Sequence, residues 1–137
     1  RPRRSPNRTG RVSRRRVIRL RRKQRWGADR IGHEVGLKVV YEAFPDRAYT
    51  PEGNLVSRKV PGAVIQSPEE VSQRALKMAA DGQVVAADGT VVDIEAQTLC
   101  VHGDTPTAVE LVKGIRRTLE DAGLNVTPMG QSFGSLT

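Results

Sequence analysis

The sequence is poor in cysteine and histidine, and for 38 residues it is almost without acid. The single cysteine, Cys100, allows no internal disulfide, which suits a reducing compartment and leads us to expect a cytoplasmic protein. Only two histidines are present, His33 and His102. His33 has no second His or Cys near it and reads as a surface residue rather than a metal ligand. No apolar run approaches the ~18 to 20 residues needed to span a bilayer. No apolar core of about 7 to 15 residues follows the positive amino end, so it does not read as a signal peptide. The chain does not open with Met, and its start is expected to be trimmed or to lie inside a longer reading frame.

Charge is divided unevenly. Residues 1–38 hold 15 Lys and Arg against two acids, Asp29 and Glu34, a formal +13; residues 39–137 hold 8 against 13, a formal −5, and together they make the chain's +8. Such asymmetry marks a basic arm on an acidic globular body. At 137 residues the whole amounts to about one domain. Three regions are expected: a basic leader over 1–36, a body over 37–127 and a loose tail over 128–137, whose two Gly and two Ser before a polar end favour little packing.

In the leader, Arg1 to Thr9 cannot bury anything and reads as an extended arm. After Gly10, Val12, Val17, Ile18 and Leu20 form one narrow apolar stripe on a helix clad in Arg14, Arg15, Arg16, Arg19, Arg21, Arg22 and Lys23, followed by Arg25. Trp26-Gly27 breaks it, and residues 28–35 suit a second short helix with Ile31 and Val35 at i, i+4. Helix, Gly turn and short helix in a basic field are how a helix-turn-helix begins. Clustered Arg binds phosphates without sequence preference, or is simply a solvated face.

The body centres on Thr98-Leu99-Cys100-Val101-His102-Gly103-Asp104-Thr105-Pro106. Apolar residues run into an imidazole and a carboxylate, and a strongly periodic helix follows. In α/β proteins, side chains at the carboxyl end of a strand face the ligand crevice, where His102 and Asp104 would fall. The alternative is a helix N-cap, Asp104 or Thr105 ahead of Pro106, beside a hydrogen-bonded histidine. Lys38 to Ala43 reads as a second strand, ending at Glu42, Phe44, Asp46 and Arg47, which form either a site or a salt-bridged loop. Ala48 to Ile65 has no sustained period and reads as a long irregular loop of the kind that is usually functional or disordered.

Ser67-Pro68-Glu69-Glu70 opens a helix, with Ser67 as N-cap and Glu70 as the capping-box acid; Val71, Ala75, Met78 and Ala79 make its buried stripe, and Asp81-Gly82 ends it. Val84 to Ala87 and Thr90 to Val92 read as a hairpin on a two-residue Asp88-Gly89 turn. A second helix runs from Pro106 to Ala122, with Ala108, Leu111, Val112, Ile115, Leu119 and Ala122 on one face and Gly123 closing it.

Two resemblances attach to these residues. Ser5-Pro6-Asn7-Arg8-Thr9 with Ile18 to Ile31 resembles the amino-terminal helix-turn-helix of integrase-type insertion-sequence transposases, without the recognition helix that would read base edges. Tyr41 to Tyr49, Gly53 to Arg58, Gly62 to Ile65 and Cys100 to Pro106 resemble the carboxyl-terminal part of the LamB/YcsF family, the A subunit of bacterial ATP-dependent 5-oxoprolinase, over about 37–127. The second resemblance implies an α/β fold, part of a seven-stranded β/α barrel of the glycoside hydrolase and deacetylase type. It also implies opening of the 5-oxoproline lactam to glutamate with ATP, alongside subunits B and C, with Glu42, Asp46, Arg47, His102 and Asp104 as inherited site residues and the metal unknown. A carboxylate or imidazole would assist water attack on the activated lactam carbonyl, and Arg47 would hold a carboxylate or phosphate. A closed β/α barrel takes about 250 residues, so the chain reads as a fragment that is inactive alone, joined to a transposase-like start near residues 31–37.

The leader's charge makes a testable expectation. The chain should retard duplex DNA of any sequence in a gel, with affinity falling steeply as salt rises, and deletion of residues 1–30 should abolish the retardation. Strong preference for one sequence over scrambled DNA would contradict it.

Overall fold

A computed structural model describes residues 34–36 and 39–128. The expected first leader helix, the second up to residue 33, their basic residues and His33 lie outside the described residues, as does the tail beyond Pro128. The described elements are strand β1 (Glu42–Ala43), helix α1 (Pro68–Ala80), strands β2 (Gln83–Val85), β3 (Val91–Asp93) and β4 (Thr98–Leu99), and helix α2 (Ala108–Asp121).

Both expected strands around the site are present but shorter than their apolar runs. β1 and β4 pair in parallel, Glu42 against Thr98 and Ala43 against Leu99, and the Cys100 amide extends the ladder to the Ala43 carbonyl at 2.8 Å. Among the described residues no third strand joins this pair. Parallel strands need a crossover, and α1 with the hairpin supplies it. The sheet is short because ladder hydrogen bonds give way to the turns that carry Asp46 and His102.

Helix α1 starts where its sequence signals place it. The Ser67 side chain accepts from the Glu70 amide, and Pro68 occupies the first turn, where its missing N–H costs nothing. Its buried face is Val71, Ser72, Ala75 and Met78; Ala79, expected inside, is exposed, and Ser72 takes the buried place because its hydroxyl donates to the Pro68 carbonyl at 2.6 Å.

The hairpin differs from expectation in its turn. Val85 pairs with Val91, and the Ala86 amide bonds to the Thr90 carbonyl, so the loop is Ala87-Asp88-Gly89 rather than two residues. Gly89, at φ +89°, takes the left-handed position that closes such a three-residue loop, and the Asp88 carboxylate accepts from both the amide and the hydroxyl of Thr90.

Helix α2 begins two residues later than its periodicity suggested, at Ala108, after Thr105-Pro106-Thr107 is taken up in a turn. Neither Asp104 nor Thr105 caps it: Thr107 is the N-cap residue and makes no side-chain cap bond. At the other end the Gly123 amide bonds to the Glu120 carbonyl and the Leu124 amide to the Leu119 carbonyl. This is a Schellman closure, with Gly123 at φ +76°.

Two apolar clusters result. Val71 and Ala75 of α1 meet Leu111, Ile115 and Leu119 of α2, while Met78 turns to the hairpin and packs with Ala43, Tyr49, Val84, Ala86, Val92 and Ile94. Leu99 on β4 touches both clusters and joins them. Val112, expected in the stripe, is half exposed.

The helices cross closely where Gly114 faces Ser72. A Cβ at residue 114 would sit 2.8 Å from Ser72 Oγ. Gly114→Ala should therefore lower stability by about 1 kcal/mol despite its better helix propensity, because the hydroxyl must abandon Pro68. Adding Ser72→Ala should restore it, and urea unfolding of the single and double variants checks both outcomes.

Candidate functional site

Asp46 and His102 lie 56 residues apart in sequence and meet where the parallel strands end. Asp46 is wholly buried, at 0% exposure, and its Oδ2 accepts two bonds from His102: the backbone amide at 2.9 Å and ring Nδ1 at 2.7 Å. An ionised carboxylate only accepts, which assigns the ring proton to Nδ1. Nε2 then carries the lone pair, and it makes no hydrogen bond among the described residues. The imidazole is 23% exposed and stacks on Phe44, with centroids 5.5 Å apart and planes at 25°. Asp46 Oδ1 is buried and has no hydrogen-bond partner among the described residues. A buried acceptor of this kind calls for a donor, which a water, an ion or a substrate group can supply.

The turn carrying Asp46 is pinned on several sides. Arg74, reaching over from α1, donates to the carbonyls of Pro45 at 2.9 Å, Arg47 at 2.7 Å and Val85 at 3.2 Å. Burial pulls the Arg74 guanidinium below its usual range, an effect that Glu70, Tyr49 and Asp46 oppose. Tyr49 accepts from the Phe44 amide at 3.0 Å, and burial pushes its phenol up. The Ile65 amide donates to the Asp46 carbonyl.

Arg47, expected to hold a carboxylate or phosphate, has a structural role in the described residues. It is 6% exposed, with Nε donating to the Ala63 carbonyl and Nη2 to the Val56 carbonyl. Its guanidinium thus holds the long loop to the body through these two bonds. The loop is ordered by this tether and by isolated bridges Arg47 to Val64 and Tyr49 to Leu55.

Asp104 neither touches Asp46 nor caps α2. It is exposed and paired with Arg58 of the long loop at 2.9 Å, and that hydrogen bond and charge hold its carboxyl below the usual range. Glu42 is exposed on β1, and its side chain meets the Cys100 thiol rather than the Asp46–His102 pair. Of the five expected site residues, the structure brings two into one hydrogen-bonded unit, Asp46 and His102. Arg74 was missed as a support, and Phe44, noted only as part of the strand end, stacks on the imidazole. Arg74 flanks the apolar stripe of α1 three residues after Val71, a position from which a long side chain can turn inward.

A separate cavity of about 370 Å³ lies between β4 and α2, lined by Leu99, Val101, Val112 and Ile115 among others. It contains neither Asp46 nor His102, and its walls bring no titratable pair together. The buried carboxylate orienting a partly exposed imidazole is the better candidate for chemistry. No helix among the described residues is long and apolar enough to cross a membrane.

The elements define a mixed α/β protein with an oriented histidine at the end of a parallel strand. The model of the LamB/YcsF family matches residues 15–134, and the chain belongs to that family. It is 52% identical over 101 residues to the A subunit of 5-oxoprolinase from Thermococcus onnurineus, covering 74% of this chain and 40% of the relative. Against the corresponding 5-oxoprolinase chain of Rhodopseudomonas palustris the identity is 50% over 97 residues, covering 71% and 38%. The fold matches the crystal structure of a lactam utilization protein from Thermus thermophilus with a TM-score of 0.69 and 43% identity, covering 75% of this chain and 40% of that one. The chain thus spans about 40% of the length of these relatives. The transposase-like start is not among what the comparisons show, and the family match takes in residues 15–36 of the leader.

Burial raises the Cys100 thiol, and the nearby Glu42 and Asp46 carboxylates raise it further by disfavouring a thiolate. At pH 8 Cys100 should alkylate with iodoacetamide several-fold more slowly than free cysteine, and the rate should keep climbing at pH values where a free thiol has levelled off. Glu42→Gln should speed the reaction by removing one negative neighbour.

Proposed function

We propose that residues 37–127 are the carboxyl-terminal segment of a β/α barrel that opens the lactam of 5-oxoproline to L-glutamate, with His102 as general base and Asp46 as its positioning partner. The family match itself runs beyond that segment on both sides, over residues 15–134. The observation carrying the proposal is the doubly bonded Asp46–His102 unit at the end of the parallel strands. The names of the relatives, 5-oxoprolinase and lactam utilization protein, supply the substrate class.

Nε2 of a neutral His102 accepts a proton from water as the water oxygen attacks the lactam carbonyl carbon. The ring C–N bond then breaks, and the proton held on Nε2 passes to the leaving nitrogen. Asp46 keeps the proton-bearing Nδ1 fixed through both transfers and stabilises the imidazolium between them. Phe44 limits the ring to one plane. ATP, implied by the family resemblance, would supply activation of the carbonyl when bound, and would leave as ADP and phosphate. Among the described residues no group of three or more His, Cys, Asp or Glu could hold a metal, and Asp46 and His102 alone fall short of the three protein ligands a catalytic zinc takes.

The two-stranded parallel sheet supports the idea of a partial barrel, since such sheets are covered on both faces in complete folds. Subunits B and C are the proposed partners. The formal +13 over residues 1–38 favours a second activity for the leader, nonspecific nucleic-acid binding by a transposase-like arm.

A chain of these residues alone should release no glutamate from 5-oxoproline and ATP, even with subunits B and C. Supplying the remaining, amino-terminal segment from the corresponding chain of a relative should restore release. In that mixture His102→Ala and Asp46→Asn should each reduce the rate by about 100-fold or more. Restored turnover indifferent to both substitutions would refute the assigned roles.

A further inference from the structure

We propose that Arg58 is the residue that recognises the substrate's carboxylate, and that Asp104 is the placeholder on which it rests when no substrate is bound. The inference depends on the proposed lactam-opening function, because it deepens the specificity of the same site. A cyclic amide bearing one carboxylate needs two points of recognition, a group acting at its carbonyl and a cation for its anion. Among the described residues several arginines are committed elsewhere. Arg47 donates to Ala63 and Val56, and Arg74 donates to Pro45, Arg47 and Val85. Both are needed to hold backbone carbonyls. On α2, Arg116 and Arg117 pair with Glu120 and Asp121 on their own helix.

Arg58 differs in three respects. First, the chain that carries it is held in place: the Arg47 Nη2 bond to the Val56 carbonyl and the Val56 amide bond to the Ala48 carbonyl fix the backbone two residues earlier. The Ser57 carbonyl then accepts from the Val60 amide, placing Arg58 at the tip of a turn. Second, its partner Asp104 is only two residues beyond His102, so their Cα atoms lie no more than about 7 Å apart. A five-membered ring with its carbonyl at the His102 imidazole can place a carboxylate within that reach. Third, the pair is easily exchanged. Its side chains are 45% and 67% exposed, only Nη1 is engaged, and exposed pairs contribute little to stability. Guanidinium binds a carboxylate best through two parallel N–H bonds, so a substrate carboxylate presented to the whole fork competes well with the single bond to Asp104.

Binding of L-5-oxoproline and of 2-pyrrolidinone, the same lactam without a carboxylate, tests the proposal. Both are titrated into this chain combined with the amino-terminal segment that restores glutamate release, with the His102 ring resonances and the Gly103 amide as NMR reporters. Arg58→Gln, an exposed change that should leave the fold intact, is expected to raise the Kd for 5-oxoproline at least tenfold and leave 2-pyrrolidinone unchanged. Asp104→Asn should tighten 5-oxoproline several-fold by freeing the guanidinium, again with no effect on 2-pyrrolidinone. Unchanged 5-oxoproline affinity in Arg58→Gln would overturn the role of Arg58 while leaving the His102 site standing. Weaker binding in Asp104→Asn would overturn the placeholder role, and an Arg58→Gln effect on ATP but not on 5-oxoproline would reassign the cation to phosphate. If neither lactam perturbed His102, the lactam-opening reading would fail and this inference with it.

Discussion

The structure depends on one buried carboxylate. Asp46 is wholly buried, and its Oδ2 is met by the His102 backbone amide at 2.9 Å and by ring Nδ1 at 2.7 Å. That pair of bonds closes the ends of β1 and β4 onto each other beyond the point where their ladder stops. It also gives the imidazole one orientation and one tautomer. Fold closure and chemical readiness are therefore the same interaction, and loss of the carboxylate would affect both.

Arginine supplies the support around it. Arg74 and Arg47 are drawn inward to satisfy carbonyls that turns 44–49 and 56–63 leave without ladder partners. Buried backbone acceptors must find donors, and irregular chain beside a site supplies few of its own. A guanidinium with its planar array of N–H groups can serve several carbonyls at once, which a lysine ammonium cannot do with the same geometry. The long loop is thereby an ordered platform for Arg58 rather than a free strap.

The helical layer holds this arrangement from behind. Helices α1 and α2 bury Val71, Ala75, Leu111, Ile115 and Leu119 between them, and Leu99 carries that packing into the strand that leads to His102. The close crossing at Gly114 and Ser72 sets how near the helices come. Shifts there would be passed through Leu99 to β4 and to the residues that follow it.

Local chemistry was legible in the sequence. Ser67-Pro68 starts α1 because a hydroxyl cap and a residue without N–H suit the first turn, and Gly123 ends α2 because its φ is positive. The apolar period of α2 and the run into His102 were equally readable, since each follows from spacing along one element. Strand lengths, the three-residue hairpin loop and the burial of Ser72 in place of Ala79 were not, because they depend on partners elsewhere in the chain. The same distinction divides the site. Asp46 and His102 could be marked as chemically capable from their places after apolar runs, but 56 residues separate them and no periodicity links them. Only the parallel pairing of β1 with β4 put one against the other. Tertiary structure likewise turned Arg47 into a tether and left Arg58 exposed beside Asp104, because which guanidinium is buried is decided by which carbonyls need donors.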